Sequence, residues 1–524
     1  MTVSGAVHPR PARPTALTVL TSLPGALCLL ALSVGAFGVL AAVQGLPMAD
    51  VQVYRAEGRA VLDGTDLYGF TVTEWDLPAT YPPLAALLFV PVALVPLSVA
   101  KAGFLAANVA LLGLLVGLSL RAVRGRAAPL PVVLALTACA LWLEPVFQTL
   151  LFGQINLALA CLVLWDMGRP DTARGKGFAV GLAAGIKLTP ALFAVHLLLT
   201  GRVKAAATAA AGFAASVAVG ACLLPGATVD FWTRRMFETA RVGKAWIVDN
   251  QSLQGLVARL LHDPEPGARW LVPALLAVVA GLWLARRLTP RPGRPGTADG
   301  TLVGSLGGTP DEGFRGLLVT ALVALLVSPI SWSHHWVWCV PLLAQLARSA
   351  GLTGPAGEGR PPGRGRLLAR VGLGCAAVVF TARSLWLVPH AGDLDLRLSW
   401  WQQPLAAPYA LLTLVLLGAA AGYVRARRRR APLTPRVPPA RISVDGSAAD
   451  HRTAPPGDDR DRRQDGRRPE CDKARGGRCA KHDAGHSADR DPAPRPRGAR
   501  TRDVPRDHLE GDGGPGRLRP PQLP

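Results

Sequence analysis

Apolar runs recur along this chain from residue 15 to residue 424, many of them close to the roughly 20 residues that carry a helix across a bilayer. Inside hydrocarbon each backbone N–H and C=O needs a partner within its own segment, so such runs fold as helices. Spans are expected near residues 15–43, 100–120, 131–150, 155–167, 204–224, 269–288, 315–327, 334–347, 367–389 and 404–424. Two further stretches, 82–97 and 177–199, fit a full span, an interfacial segment or a pair of half-helices. With 50% hydrophobic residues over 524 positions, the chain is too apolar for one soluble domain. It reads as an all-α polytopic integral membrane protein, a bundle of about 10 to 12 transmembrane helices.

The net charge of +22 is distributed in a way that argues against a nucleic-acid partner. Arginine gathers in short connections, "RAVRGR" at 121–126, "GRPDTARGK" at 168–176, "GRVK" at 201–204 and "RRLTPRPGR" at 286–294, and again in "RARRRR" at 425–430. That is the cytoplasmic signature of the positive-inside rule. The resulting topology puts segments 44–81 and 225–268 and the 328–335 corner outside, and the 1–14 N-terminus, the 288–314 connection and the tail inside. From 425 the chain is basic, and from about 431 it is rich in Pro, Arg, Asp and Gly, so the 425–524 tail is expected to be disordered and to lie near anionic lipid headgroups. Within it Cys471, Cys479, His482 and His486 superficially resemble a zinc site, but the spacing between the cysteines is not that of a usual knuckle. The other six cysteines lie in or beside apolar runs and read as small hydrophobic packers.

Polar residues inside or beside apolar runs are costly and therefore informative. Asp50, at the end of the first run, suits a partly desolvated general base or a helix cap. Tyr81 before Pro82 and Pro83 starts a helix entering from the external face. Gln154 and Asn156 in "GQIN" suit sugar hydroxyls or helix ends. Lys187 in "GLAAGIKLTPALF" stands three residues before Pro190, which breaks the helix; a broken helix with a buried cation is a natural anion site, and snorkelling to the headgroups is the bland alternative. Arg234 and Arg235 break the positive-inside pattern, as a phosphate-bearing lipid ligand would require. Asn250 and Gln251 in "NQS" are ligand contacts, a helix cap or a glycosylation acceptor. His334 and His335 stand in "SPISWSHHWVWCVPLL", where imidazoles are either functional or water-bound at the interface.

Taken in order, Asp50 with Tyr54, "YPP", "GQIN", "GIKLTP", "NQSLQG" and "SPISWSHHW" resemble glycosyltransferase family 87, the polyprenyl-phosphate-mannose-dependent mannosyltransferases of the GT-C class, over roughly residues 45–345. The resemblance implies a GT-C-like catalytic domain at 15–424 in the plasma membrane with its site on the external side. It implies a polyprenyl-phosphate-mannose donor, a mannosylated lipid or lipoglycan acceptor, and inverting transfer, with an α-(1→2) linkage. Asp50 becomes the base. One of His334 and His335 orients Asp50 or the acceptor while the other binds the donor phosphate. Lys187, with Tyr81, Gln154, Asn156, Asn250, Gln251, Arg234 and Arg235, becomes the donor-binding set, with no metal and no cofactor. The competing class is a membrane transporter or lipid-linked sugar flippase, for which broken helices and a midplane lysine would serve equally well.

Overall fold

The computed structural model describes residues 22–430 apart from 44, 46, 293–310 and 354–362, so the expectations for the 1–14 N-terminus, most of the 288–314 connection and the tail from 431 lie outside the described residues. The described chain is mostly helical. Its first helices are α1 (Leu23–Val43), α2 (Ala49–Asp63), α3 (Pro83–Ala93), α4 (Leu97–Arg124), α5 (Leu130–Ala140), α6 (Glu144–Phe152) and α7 (Asn156–Met167). Then come α8 (Phe178–Ile186), α9 (Ala191–Leu199), α10 (Val203–Leu223), α11 (Pro225–Thr233), α12 (Leu253–Leu261), α13 (Leu271–Leu288) and α14 (Asp311–Val327). A 3-10 segment, Ser333–Trp338, leads into α15 (Cys339–Ser349), followed by α16 (Arg364–Thr381), α17 (Gln403–Ala406) and α18 (Pro408–Arg430). The only sheet among the described residues is a two-residue antiparallel pair, β1 (Thr71–Val72) with β2 (Leu77–Pro78), in the register Thr71↔Pro78 and Val72↔Leu77.

Among the described residues five helices are long and apolar enough to cross a membrane, those beginning at Leu23, Leu97, Val203, Pro408 and, with the 3-10 turn Gly267–Trp270 that leads into α13, Gly267; the bent pair α5 and α6 is a sixth span if it crosses as one, or a re-entrant loop. That pair turns by 81° at its break. The 177–199 stretch is two half-helices, α8 and α9, separated at Lys187–Pro190, because Pro190 cannot continue α8 and opens α9 instead. At 334–347 the structure departs from the expected uniform span. Residues 333–338 wind as a 3-10 segment with a non-helical Trp336, and the α-helix starts only at Cys339.

Burial sorts the helices. α14 is sheathed on nearly all sides and, with α4, α6 and α7, forms the main core around Leu112, Leu115, Phe147, Leu157, Phe314 and Leu322. By contrast α1 and α18 present exposed apolar surface, with Leu32 at 71% and Val415 at 68%, as lipid-facing helices do. Small residues set the closest contacts: a Cβ on Gly181 of α8 would lie 1.9 Å from the Ala209 carbonyl oxygen of α10, and one on Gly58 of α2 would lie 2.4 Å from the Phe89 carbonyl oxygen of α3. Gly153 ends α6 at a φ of +74°, and a Cβ there would strike the Val51 side chain at 2.3 Å, so it both turns the chain and lets α2 lie against α6.

Candidate active site

Three interruptions of helix meet at one place: the Gly153–Ile155 turn between α6 and α7, the Lys187–Pro190 break between α8 and α9, and the Ser333–Trp338 segment. Asn156, the first residue of α7, ties them together. Its Nδ2 donates to the His334 carbonyl oxygen at 3.0 Å, and its Oδ1 accepts from Lys187 Nζ at 3.0 Å. Thr149 Oγ1 donates to the same His334 carbonyl at 3.0 Å, so α6 and α7 together fix the histidine turn by its backbone.

Lys187 does not snorkel. Its ammonium turns into the bundle, 3.0 Å from His335 Nε2 and 5.5 Å from the centroid of the Tyr81 ring. A charged lysine has no acceptor, so in that pairing Nε2 accepts and the His335 proton resides on Nδ1. His334 is 5% exposed, stacks edge-on against His335 at 4.8 Å and lies 5.4 Å from Phe152, and neither of its ring nitrogens has a partner among the described residues.

Asp50 sits in the first turn of α2, where Met48 occupies the cap position and no side chain caps the helix, so the capping reading has no support in the geometry. Half-buried, the Asp50 carboxyl is pushed up to about 6 by desolvation, opposed by hydrogen bonding to Gln154 and by the charge of Lys187. One helical turn on, the Tyr54 hydroxyl lies 3.2 Å from Gln154 Oε1 and 3.3 Å from the Tyr81 hydroxyl, which is itself 3.2 Å from Gln154 Oε1. Asp50, Gln154, the two tyrosines, Asn156, Lys187 and His335 thus form one continuous polar array. Beside it is a cavity with an empty volume of about 510 Å³ including its open mouth; Asn156, Lys187, Ser331 and His335 line its polar part, and Phe193 and Trp338, stacked at 5.3 Å, line its apolar part.

The remaining sequence candidates sit differently. Asn250 and Gln251 are wholly buried and their amides are consumed within the fold. Asn250 donates to Ala245 O at 2.8 Å and Pro329 O at 3.1 Å and accepts from Ser331 N at 2.9 Å. Gln251 donates to Val248 O at 2.6 Å and Ala406 O at 2.8 Å. In this structure the Asn250 amide braces the 329–331 segment and the Gln251 amide ties Val248 to Ala406, while Ser252 caps α12, accepting from Gly255 N at 3.1 Å. Arg234 pairs with Glu238 at 2.9 Å and Arg235 with Asp230 at 2.7 Å, so each already has an acidic partner from its own segment.

Sequence reading missed three carboxyls. Glu57 lies on the Asp50 face of α2 and is 1% exposed. Glu144 opens α6, accepting from Trp386 Nε1 at 3.1 Å and from the Tyr409 hydroxyl, and Asp249 accepts from Ser333 N at 3.1 Å. Asp249 thereby holds the start of the histidine turn through the Ser333 N–H, with Glu144 close to the same serine. An acidic residue inside the apolar "LWLEPVFQTLLF" was a legible signal of the same kind as Lys187.

A half-buried carboxyl, a cation beside an apolar cavity and several membrane-length helices suit a membrane-embedded group-transfer enzyme. The sequence pattern described as Glycosyltransferase family 87 matches residues 79–329. A polyprenol-phosphate-mannose-dependent alpha-(1-2)-phosphatidylinositol mannoside mannosyltransferase of Mycobacterium tuberculosis is 33% identical over 400 residues, 72% of this chain and 85% of that protein. A polyprenol-phosphate-mannose-dependent alpha-(1-2)-phosphatidylinositol pentamannoside mannosyltransferase of the same species is 36% identical over 439 residues, 80% of this chain and 93% of that one. A relative of Mycolicibacterium smegmatis bearing the former description is 35% identical over 319 residues, 57% of this chain and 69% of its own length. No solved structure matches. The chain belongs to glycosyltransferase family 87 and is a membrane glycosyltransferase; the transporter alternative is not favoured.

Proposed function

We propose that this enzyme transfers mannose from a polyprenyl-phosphate-linked donor to a hydroxyl of a phosphatidylinositol mannoside, or a related mannosylated lipid or lipoglycan, forming an α-(1→2) linkage with inversion. The observation that carries this reading is the position of Lys187, whose ammonium lies between the apolar cavity and the Asp50 array. The cavity takes the first part of the prenyl chain and Lys187 the donor phosphate, with the N-terminus of α9, opened by Pro190, adding positive potential. The acceptor oxygen attacks the anomeric carbon as Asp50 takes its proton. The bond from that carbon to the phosphate oxygen breaks, and its electron pair leaves with the phosphate, where Lys187 and His335 stabilise the charge. Tyr54, Tyr81 and Gln154 hold Asp50 in place, and His334, with two free ring nitrogens, faces donor or acceptor.

The same reading places the enzyme in the plasma membrane with residues 44–81 and 225–268 outside, and with 1–14, 288–314 and 425–524 inside. It takes 15–424 as the catalytic domain. The short apolar helices α3, α7 and α14 and the half-helices α8 and α9 complete a bundle of about 10 to 12 crossings. In this arrangement Arg234 and Arg235 attract anionic lipid at the external rim. The test is incubation of membranes containing the enzyme with radiolabelled polyprenyl-phosphate-mannose and a panel of phosphatidylinositol mannosides. Labelled product with the mannose α-(1→2)-linked is expected. Donor binding without transfer to any mannosylated lipid would remove the proposed acceptor class, and absence of donor binding would remove the reading altogether.

A further inference from the structure

Glu57 has no role in the transfer as drawn, yet its setting is unusual. It follows Asp50 by seven residues and Tyr54 by three, so all three share one face of α2. Gly58 brings the α3 backbone close against that face and shuts water out. Glu57 is 1% exposed and neither carboxyl oxygen has a hydrogen-bond partner; the Thr80 backbone lies nearby without closing one. The groups around it are Asp50 and Tyr54 on its own helix, Tyr81 ahead of α3, and Tyr68 in the intervening turn. Farther out, Arg241 bonds the Tyr68 carbonyl at 3.0 Å, and Arg235 is paired with Asp230. Among the described residues no cation compensates Glu57 directly, and an ionised carboxylate so placed would cost several kcal/mol.

We propose that Glu57 is a positioning residue for the transfer: a carboxylic acid kept neutral, so that Asp50 is the sole anion facing Lys187 and the Tyr54–Tyr81 pair stays on Gln154. Two carboxyls on one helix face are thereby divided between roles by environment. Asp50 is half-buried with Lys187 and Gln154 beside it, and stands at about 6. Glu57 is sealed away without a cation and next to the Asp50 charge, and stands at about 8. Ionisation of Glu57 would put a second negative charge against Asp50 and draw on the Lys187 charge needed by the donor phosphate.

This inference rests on Asp50 as the base, and its test is chosen to separate the two. Lys187 is first changed to Arg, which does not titrate in the working range, so that an alkaline loss of activity cannot come from the lysine. In that background kcat/KM should fall above about pH 8, and adding Glu57→Gln should move the fall upward by at least about one pH unit. A purely structural Glu57 would instead lower activity by one factor at every pH, which would overturn the proposal. Independently, the protonated-carboxyl infrared band lost in Glu57→Gln should titrate near pH 8 in the otherwise unaltered enzyme, and at lower pH in Asp50→Asn, where the neighbouring charge is gone. If the glutamine variant does not insert, Glu57→Met assigns the band. Absence of that band at pH 7 would sink the neutral-acid assignment whatever the activity. Full transfer by Asp50→Asn would instead remove the base on which the positioning role depends, with the infrared result unaffected.

Discussion

Replacing Lys187 by glutamine removes the one side-chain charge that, among the described residues, borders both the cavity and the Asp50 array. The glutamine amide is shorter and neutral, yet it can still satisfy Asn156 Oδ1, which the lysine reaches at 3.0 Å, so local structure should survive. What disappears is a charge-assisted bond to the donor phosphate, worth about 1.5–3 kcal/mol, or about a 10- to 150-fold weaker donor Kd. Acceptor affinity should change by less than about threefold, because the lysine is assigned no contact with the acceptor. Lys187→Arg keeps the charge but brings a planar fork in place of a compact ammonium, and should fall between wild type and glutamine. A second consequence follows from the sign of the Asp50 shift. Burial raises that carboxyl to about 6 and Lys187 opposes the rise, so without Lys187 it goes higher still and the acid limb of kcat/KM moves to higher pH. Equilibrium binding of labelled donor to protein in nanodiscs, with a pH profile of transfer, reads both effects. Equal donor affinity in wild type and Lys187→Gln would refute the phosphate assignment.

Asn250→Ala should destabilise the protein by about 2–4 kcal/mol, since it leaves several buried backbone groups unpaired; thermal unfolding in detergent measures this, and donor Kd in the folded fraction should stay within about threefold of wild type. A large donor defect with unchanged stability would make Asn250 a ligand residue instead. Gly181→Ala should disrupt assembly of α8 on α10, because the added carbon falls 1.9 Å from a carbonyl oxygen; normal yield and unfolding temperature would contradict that close packing. In a cysteine-free background, cysteines replacing Arg59 and Lys244, both exposed, should react with an impermeant thiol reagent added outside, whereas one at position 435 should not. The reverse labelling pattern would invert the proposed topology.

Much of the architecture was legible because hydrocarbon permits so few solutions: the long apolar runs are helices, and the 177–199 stretch broke where Pro190 required it. Lys187 stood out because a charge amid apolar residues has few bland explanations. The amides were harder to read. Asn156 and Asn250 look alike as sequence, each a polar residue opening or preceding an apolar helix, but one reaches Lys187 while the other is spent on backbone groups distant in sequence. Only tertiary placement separates them. Glu57 was hidden for a similar reason: on an interfacial helix a glutamate is ordinarily solvated, and nothing local announces that Gly58 will let α3 close over it. The 3-10 course of residues 333–338 also depends on partners from elsewhere, since Asn156 and Thr149 hold its His334 carbonyl out of a regular helix. Arg234 and Arg235 were read by charge alone, whereas Asp230 and Glu238 a few residues away were available to pair with them.

The central claim is that Asp50 is the base of an inverting mannosyl transfer. Its most direct test is single-turnover transfer by Asp50→Asn loaded with polyprenyl-phosphate-mannose and a phosphatidylinositol mannoside acceptor. Asparagine keeps the shape and can still bond Gln154, the side-chain partner of Asp50, but it takes no proton at neutral pH. Transfer should slow by at least about 100-fold, donor binding should stay within about threefold of wild type, and the acid limb near pH 6 should vanish from what activity remains. Transfer at the wild-type rate by correctly inserted Asp50→Asn protein would contradict the account.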